Sequence, residues 1–134
     1  MNQGGGQLRR KDILYPELSY IINGALFDVF RQMGGGHKEK YYQKAVSLAL
    51  SKRGLKFQEQ FYVPAKFDNI VIGKYYLDFL IEEKIVLELK RGNIYMINNI
   101  DQVKEYLSAL NLKLAIIASF TFNGVKTNRI LNEY

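Results

Sequence analysis

The chain has no cysteine and a single histidine, His37. The first absence excludes disulfides and thiolate-held metals. With one histidine there is also no zinc-type ligand cluster. A lone histidine beside glycines is expected to face solvent rather than bind metal or phosphate. No apolar run reaches the length of a membrane span. The opening MNQGGGQLRRKD lacks the apolar core of a signal peptide. Together with the missing cysteines, this leads to the expectation of a cytoplasmic protein. No phosphate-binding GxxxxGK(S/T) loop and no GxSxG nucleophile motif occurs either.

What is present fits a small α/β protein. A length of 134 residues suggests one domain able to bury a core. Residues 1–10 read as a disordered Gly-rich, basic tail, and residues 11–134 as a single domain. A formal charge of +6 suggests a polyanionic partner, although a basic surface can serve solubility alone.

Apolar residues at helical spacing predict a first helix from about Pro16 to Met33, with Pro16 in its first turn. Gly34-Gly35-Gly36 ends it. A second helix is expected from near Lys38 to Arg53, terminated by Gly54. Phe57 to Val63 alternates and reads as a strand ending at Pro64. A turn at Asp68-Asn69 precedes a strand from Ile70 to Ile81, bent at Gly73. Lys84 to Lys90 is the next strand. A helix from about Ile97 to Leu110 follows, with Asn111 at its end. Leu112 to Phe120 is an apolar strand of the kind buried on both faces. Val125 to Leu131 is a last edge strand or a turn. This order implies a mixed four- to five-stranded sheet flanked by helices.

The informative stretch is YYLDFLIEEKIVLELK, starting at Tyr75. Asp78 lies in one apolar strand, and Glu88 and Lys90 lie in the next. A buried charge is costly unless paired or metal-bound. Glu88 and Lys90 share a face, because side chains alternate along a strand. If Ile81 pairs with Ile85 around a three-residue loop, Asp78 falls opposite Glu88. Two carboxylates about 5 Å apart repel by roughly 3 kcal/mol at an effective dielectric near 20. A bound Mg²⁺ or Mn²⁺ would turn that repulsion into a site. A two-residue loop would instead pair Asp78 with Leu87 and separate the acids. The ordinary alternative is an exposed sheet face carrying a Glu–Lys pair.

Two further features surround this stretch. Glu39 falls in the first turn of the second helix, where an acid also simply complements the helix dipole. Gln102 and Tyr106, four apart, share a face of the third helix. A base-stacking role for Tyr75 or Tyr95 is a weaker reading.

Gly36-x-x-Glu39-x-x-Tyr42 matches the signature of the GxxExxY proteins. The resemblance extends through the ILYPELSY opening, the KRGL turn at Lys52 to Leu55 and the LDFLIEEKIVLELK hairpin. That family resembles a compact branch of the PD-(D/E)xK nucleases, with a restriction-endonuclease-like core. The resemblance implies that Asp78, Glu88 and Lys90 form the D…ExK set and that Glu39 is the acid of the preceding helix. Gln102 and Tyr106 resemble the Q-x-x-x-Y element of the RecB-like and lambda-exonuclease-like branch. The glycine run stands where relatives often carry a proline, and no proline precedes Asp78.

The expected activity is therefore Mg²⁺- or Mn²⁺-dependent phosphodiester hydrolysis, with DNA as substrate. Asp78 and Glu88 would hold the metal, with the Leu89 carbonyl as a third ligand and Glu39 binding it through water or completing a second site. Lys90 would act at the attacked phosphate. Gln102, Tyr106 and Arg91 would hold the substrate backbone. The competing readings are a non-catalytic module of the same fold that binds nucleic acid or protein, and a subunit with a vestigial site. The small size is compatible with a homodimer.

Overall fold

Helix formation follows the apolar stripes read from the sequence. The computed structural model describes residues 14–92 and 97–132. The expected tail at residues 1–10, the domain start at residues 11–13, Asn93 and Tyr95 lie outside the described residues. Helix α1 spans Pro16–Met33 and α2 spans Glu39–Lys52. Pro16 sits in the first turn of α1, where its missing N–H breaks no helical bond. Strands β1 (Phe57–Phe67), β2 (Ile70–Ile81) and β3 (Ile85–Arg91) follow. Helix α3 (Ile97–Leu110) then leads to β4 (Leu114–Thr121) and β5 (Gly124–Leu131).

The five strands lie in chain order, β1-β2-β3-β4-β5. All neighbours are antiparallel except β3 and β4, which run parallel and are joined through α3. This is the mixed, helix-flanked α/β sheet expected of a restriction-endonuclease-like core. The α1 and α2 stripe, including Ile22, Leu26, Val46 and Leu50, packs on Phe79, Ile81, Leu87, Leu89 and Phe120. On the other face Val103, Tyr106 and Leu107 of α3 pack on Leu80, Val86, Ala115 and Ile117. Every residue of β4 is buried, as a strand covered on both faces requires.

One boundary differs from expectation, and one reading left open is decided. Pro64 does not end β1, which continues to Phe67 with Pro64 opposite Lys74. An edge strand accepts proline because the missing N–H can lie on the open side. The segment after β4 is a full edge strand rather than a turn. The bend at Gly73 is present as a register shift at Ala65/Lys66, directly across the hairpin.

The glycine run anchors the start of α2. A Cβ on Gly35 would lie 2.6 Å from the Thr121 carbonyl oxygen and 2.7 Å from the Phe122 Cα, both backbone atoms. Gly36 has φ +85°, and a Cβ there would meet the Phe122 ring at 3.0 Å. Tyr42 closes the loop from the other side. Its hydroxyl donates to the Gly34 carbonyl at 2.7 Å and accepts from the His37 N–H at 3.3 Å. Its ring stacks on Phe120 with centroids 4.2 Å apart. His37 is not a free loop side chain: its Nε2 lies 2.7 Å from the Met33 carbonyl and its ring packs edge-on to Tyr42.

Gly35→Ala is therefore expected to destabilise the protein by about 1–3 kcal/mol, since neither opposing backbone atom can yield cheaply. A urea midpoint equal to wild type would show that the loop does not pack against β4 in this way.

Candidate functional site

The β2–β3 hairpin decides where the acids go. Ile81 pairs with Ile85, so the three-residue loop Glu82-Glu83-Lys84 sets the register. Glu82 and Glu83 adopt left-handed φ values of 53° and 57°. Such values cost non-glycine residues of order 1 kcal/mol each. Compensating bonds hold the loop. The Lys84 N–H donates to the Ile81 carbonyl, and Glu82 exchanges two bonds with the Lys56 backbone.

The paired ladder extends only to Phe79↔Leu87. At the next position side-chain carboxylates replace backbone partners. Glu88 accepts from the Asp78 N–H at 2.8 Å, and Asp78 accepts from the Leu89 N–H at 2.7 Å. The two acids are thus brought together, each capping the other strand's backbone. Glu88 is almost completely buried, at 4% exposure. Burial, with Asp78 second, pushes its carboxyl up to about 8. Asp78 is also raised by burial, opposed by the Leu89 N–H, the Gln60 amide and Lys90.

Gln60 was not singled out by sequence. It falls opposite Asp78, between the Glu59↔Phe79 and Phe61↔Leu77 pairs, with a φ of 49° in mid-strand. Its Nε2 donates to Asp78 Oδ1 at 3.4 Å. Both strands change faces here. Phe79 packs with α1 and α2, but Leu77 packs with α3. Likewise Glu59 bonds to Gln43 and Ser47 of α2, whereas Phe61 packs on the α3 side. Regular alternation would keep each of these pairs on one face. Gln43 also reaches the site, donating to the Asp78 carbonyl at 3.3 Å. The one sequence signal for it is its position four residues after Glu39, on the same helix face. A left-handed residue inside a strand leaves no signature when its side chain is an ordinary glutamine.

Glu39 lies in the first turn of α2. Its carboxyl is raised by partial burial and then by Asp78, with Lys90 and Arg91 opposing. Lys90 acts electrostatically on Glu39, Asp78 and Glu88. Among the described residues it joins no ion pair. Arg91 is exposed and donates to the His37 carbonyl at 3.1 Å, tying β3 to the glycine loop. Tyr106 is buried, and burial raises its hydroxyl, with Glu88 and Asp78 adding to the effect. Gln102 lies half-buried one turn earlier on α3 and makes no hydrogen bond to the cluster among the described residues. Tyr75 packs against Tyr106 at 5.3 Å and donates to Glu105, so its ring is engaged with α3.

Among the described residues no three His, Cys, Asp or Glu side chains converge as a metal-ligand group. The donor set is two adjacent carboxylates. That number suits a hard cation such as Mg²⁺, which commonly takes one or two carboxylates, with waters and substrate phosphates completing its shell. Raised carboxyls that hold a proton are the groups a cation displaces protons from.

Comparison with protein families matches residues 16–130 to the model of the PD-(D/E)XK nuclease superfamily. The chain belongs to that superfamily. PD-(D/E)XK nucleases generally use divalent metal ions, and their substrates are nucleic acids. The fold is similar to the crystal structure of SSO0001, with a TM-score of 0.57 and 16% identity over 71% of this chain. This chain spans about half, 50%, of the length of that protein. It also overlays on an alkaline exonuclease (LHK-Exo) from Laribacter hongkongensis, with a TM-score of 0.49 and 10% identity over 86% of this chain and 82% of that one. No curated protein matches the sequence. No helix among the described residues is long and apolar enough to cross a membrane.

The raised Glu88 carboxyl predicts a pH signature. The folded chain holds a proton that the unfolded chain releases near 4.5. Its stabilising contribution is full below the unfolded value and is lost as pH rises through about 8. Asp78 and Glu39 act in the same direction. Metal-free protein is therefore expected to lose stability across that window, and Glu88→Gln to flatten the slope. Urea midpoints across a pH series measure it, and a flat wild-type profile overturns it.

Proposed function

We propose that the protein is a divalent-metal-dependent nuclease that hydrolyses phosphodiester bonds in DNA, of the GxxExxY type. The observation that carries this reading is a buried Glu88 and a half-buried Asp78, both with raised proton affinity, beside a lysine that joins no ion pair among the described residues. Such a cluster is unfavourable as mere structure. The Gly36-x-x-Glu39-x-x-Tyr42 geometry supports the finer family assignment, because each motif position has work to do. Gly36 permits the tight turn, Tyr42 clamps it, and Glu39 then starts α2 next to Asp78.

Asp78 and Glu88 would hold Mg²⁺ or Mn²⁺. The Leu89 carbonyl supports a third ligand. A strand residue turns its N–H and C=O the same way, and the Leu89 N–H faces Asp78. When bound, the cation supplies a lowered pKa for a coordinated water and polarises the scissile phosphate. Gln60 and Gln43 orient Asp78 by its carboxylate and its carbonyl. Lys90 stabilises charge developing on the phosphoryl oxygens. Glu39 would bind the cation through water or complete a second site. Arg91 and Gln102 would hold the substrate backbone, whereas the buried Tyr106 could reach it only where its hydroxyl is uncovered. A non-catalytic binding module remains the alternative, because the two carboxylates already satisfy two backbone N–H groups without help.

Mg²⁺ or Mn²⁺ is expected to raise the melting temperature, equivalent to about 2.7 kcal/mol at a hundredfold excess over Kd. Asp78→Asn should lose most of that response. In a cleavage assay on labelled DNA, Lys90→Ala should lower the rate by at least about a hundredfold while sparing DNA binding. DNA binding without cleavage under any divalent metal would favour the binding module. Cleavage that survives both substitutions would place the chemistry elsewhere.

A further inference from the structure

The β1–β2 ribbon runs well past its neighbour. Its pairs continue from Phe57↔Ile81 to Phe67↔Ile70, whereas β2 and β3 pair only from Phe79↔Leu87 to Ile81↔Ile85. The ribbon beyond Asp78 is therefore an arm. On one face of the arm Phe61, Val63, Tyr75 and Leu77 pack against α3. The opposite face carries the intervening residues.

That open face presents two aromatic rings. Tyr62 and Tyr76 are a direct cross-strand pair, exposed by 44% and 48%. Their ring centroids are 5.8 Å apart at an interplanar angle of 51°. The next pair along the same face is Pro64↔Lys74, which adds a cation and no acid. In the other direction the next position is Gln60 opposite Asp78, where the ladder is interrupted, at most about 7 Å away for two residues of strand. That separation is about two base rises of a stacked strand, at 3.4 Å each. The arm face thus ends at the face change where Asp78 sits, aromatic next to it and basic at Lys74 beyond.

A cross-strand tyrosine pair stabilises a sheet by itself, and when exposed it also suits bases that have no partner strand. Every base has a π-face, so stacking on aromatics tolerates any sequence, and a nearby lysine meets the phosphate. A duplex keeps its base faces stacked internally and presents its backbone and base edges, not its ring faces, along its length. We propose that Tyr62 and Tyr76 form a stacking platform for unpaired bases, with Lys74 on the backbone, so that single-stranded nucleic acid is led into the site at Asp78. The inference rests on the nuclease reading above and narrows its substrate to unpaired strands.

The test separates binding from cleavage. Fluorescence anisotropy with a labelled oligothymidylate, in chelator, measures binding without chemistry, with a labelled blunt duplex as comparison. The double variant Tyr62→Ala/Tyr76→Ala is expected to weaken oligothymidylate binding by about tenfold or more. Duplex binding should stay within twofold, and Tyr62→Phe/Tyr76→Phe should retain the wild-type affinity. Thermal melting checks that the surface variants remain folded. Lys90→Ala, tested in parallel, should keep oligothymidylate binding whether or not the wild type cleaves DNA. Absence of cleavage by the wild type would thus count against the nuclease and leave the platform standing. The platform is overturned if the alanine variant binds oligothymidylate as wild type does, or if wild type binds no single strand. It is also overturned if the substitutions instead abolish self-association in sedimentation velocity, which would make this face a contact between copies.

Discussion

The exchange of hydrogen bonds between Asp78 and Glu88 is the constraint around which the sheet is arranged. Each carboxylate accepts a backbone N–H from the opposing strand. Either N–H left without an acceptor would cost about 1–3 kcal/mol when buried. Either carboxylate left without a donor would be a buried anion, which is more costly still. The two problems cancel only while both residues are present and in register. Fully buried Phe79, Leu87 and Leu89 hold that register by packing against α1 and α2. The hydrophobic core therefore fixes where the acids meet, and the acids fix where the ladder stops.

Around this pair the remaining site residues come from distant parts of the chain, and each has its own physical anchor. Glu39 depends on a glycine loop with no room for a side chain at Gly35 and on the Tyr42 hydroxyl that closes it. Arg91 is drawn to the same loop through the His37 carbonyl. Tyr106 is held by the α3 core on the opposite face. Glu39 senses Asp78 from the α2 side, and Asp78 bears on Tyr106 from the α3 side. The carboxylates lie in the opening between β2 and β3, where groups from both layers reach them.

Much of this arrangement was legible in the sequence because it rests on counting. Counting left two hairpin registers open, and of these the three-residue loop Glu82-Glu83-Lys84 found in the structure is the one that puts Asp78 opposite Glu88. Helix α1 was readable end to end, since its apolar stripe, Pro16 and the glycine run all agree. Other features depend on tertiary context. Pro64 looked like a strand end because nothing local reveals that β1 is an edge strand. The reversal of faces at Gln60 was invisible, because a left-handed glutamine opposite an aspartate has no compositional mark. His37 looked exposed because its partner, the Met33 carbonyl, becomes available only when α1 ends beside it.

The proline and the left-handed glutamine of β1 have a consequence for the solubility of the folded chain. An uncovered edge strand of eleven residues is a template on which another chain can polymerise by strand addition. Pro64 removes one donor from that edge, and the backbone reversal at Gln60 turns its hydrogen-bonding groups out of line four residues earlier. An incoming strand would find no uninterrupted stretch long enough to dock. The same irregularity that sets Asp78 in the opening thus guards the margin of the sheet against amyloid-like growth.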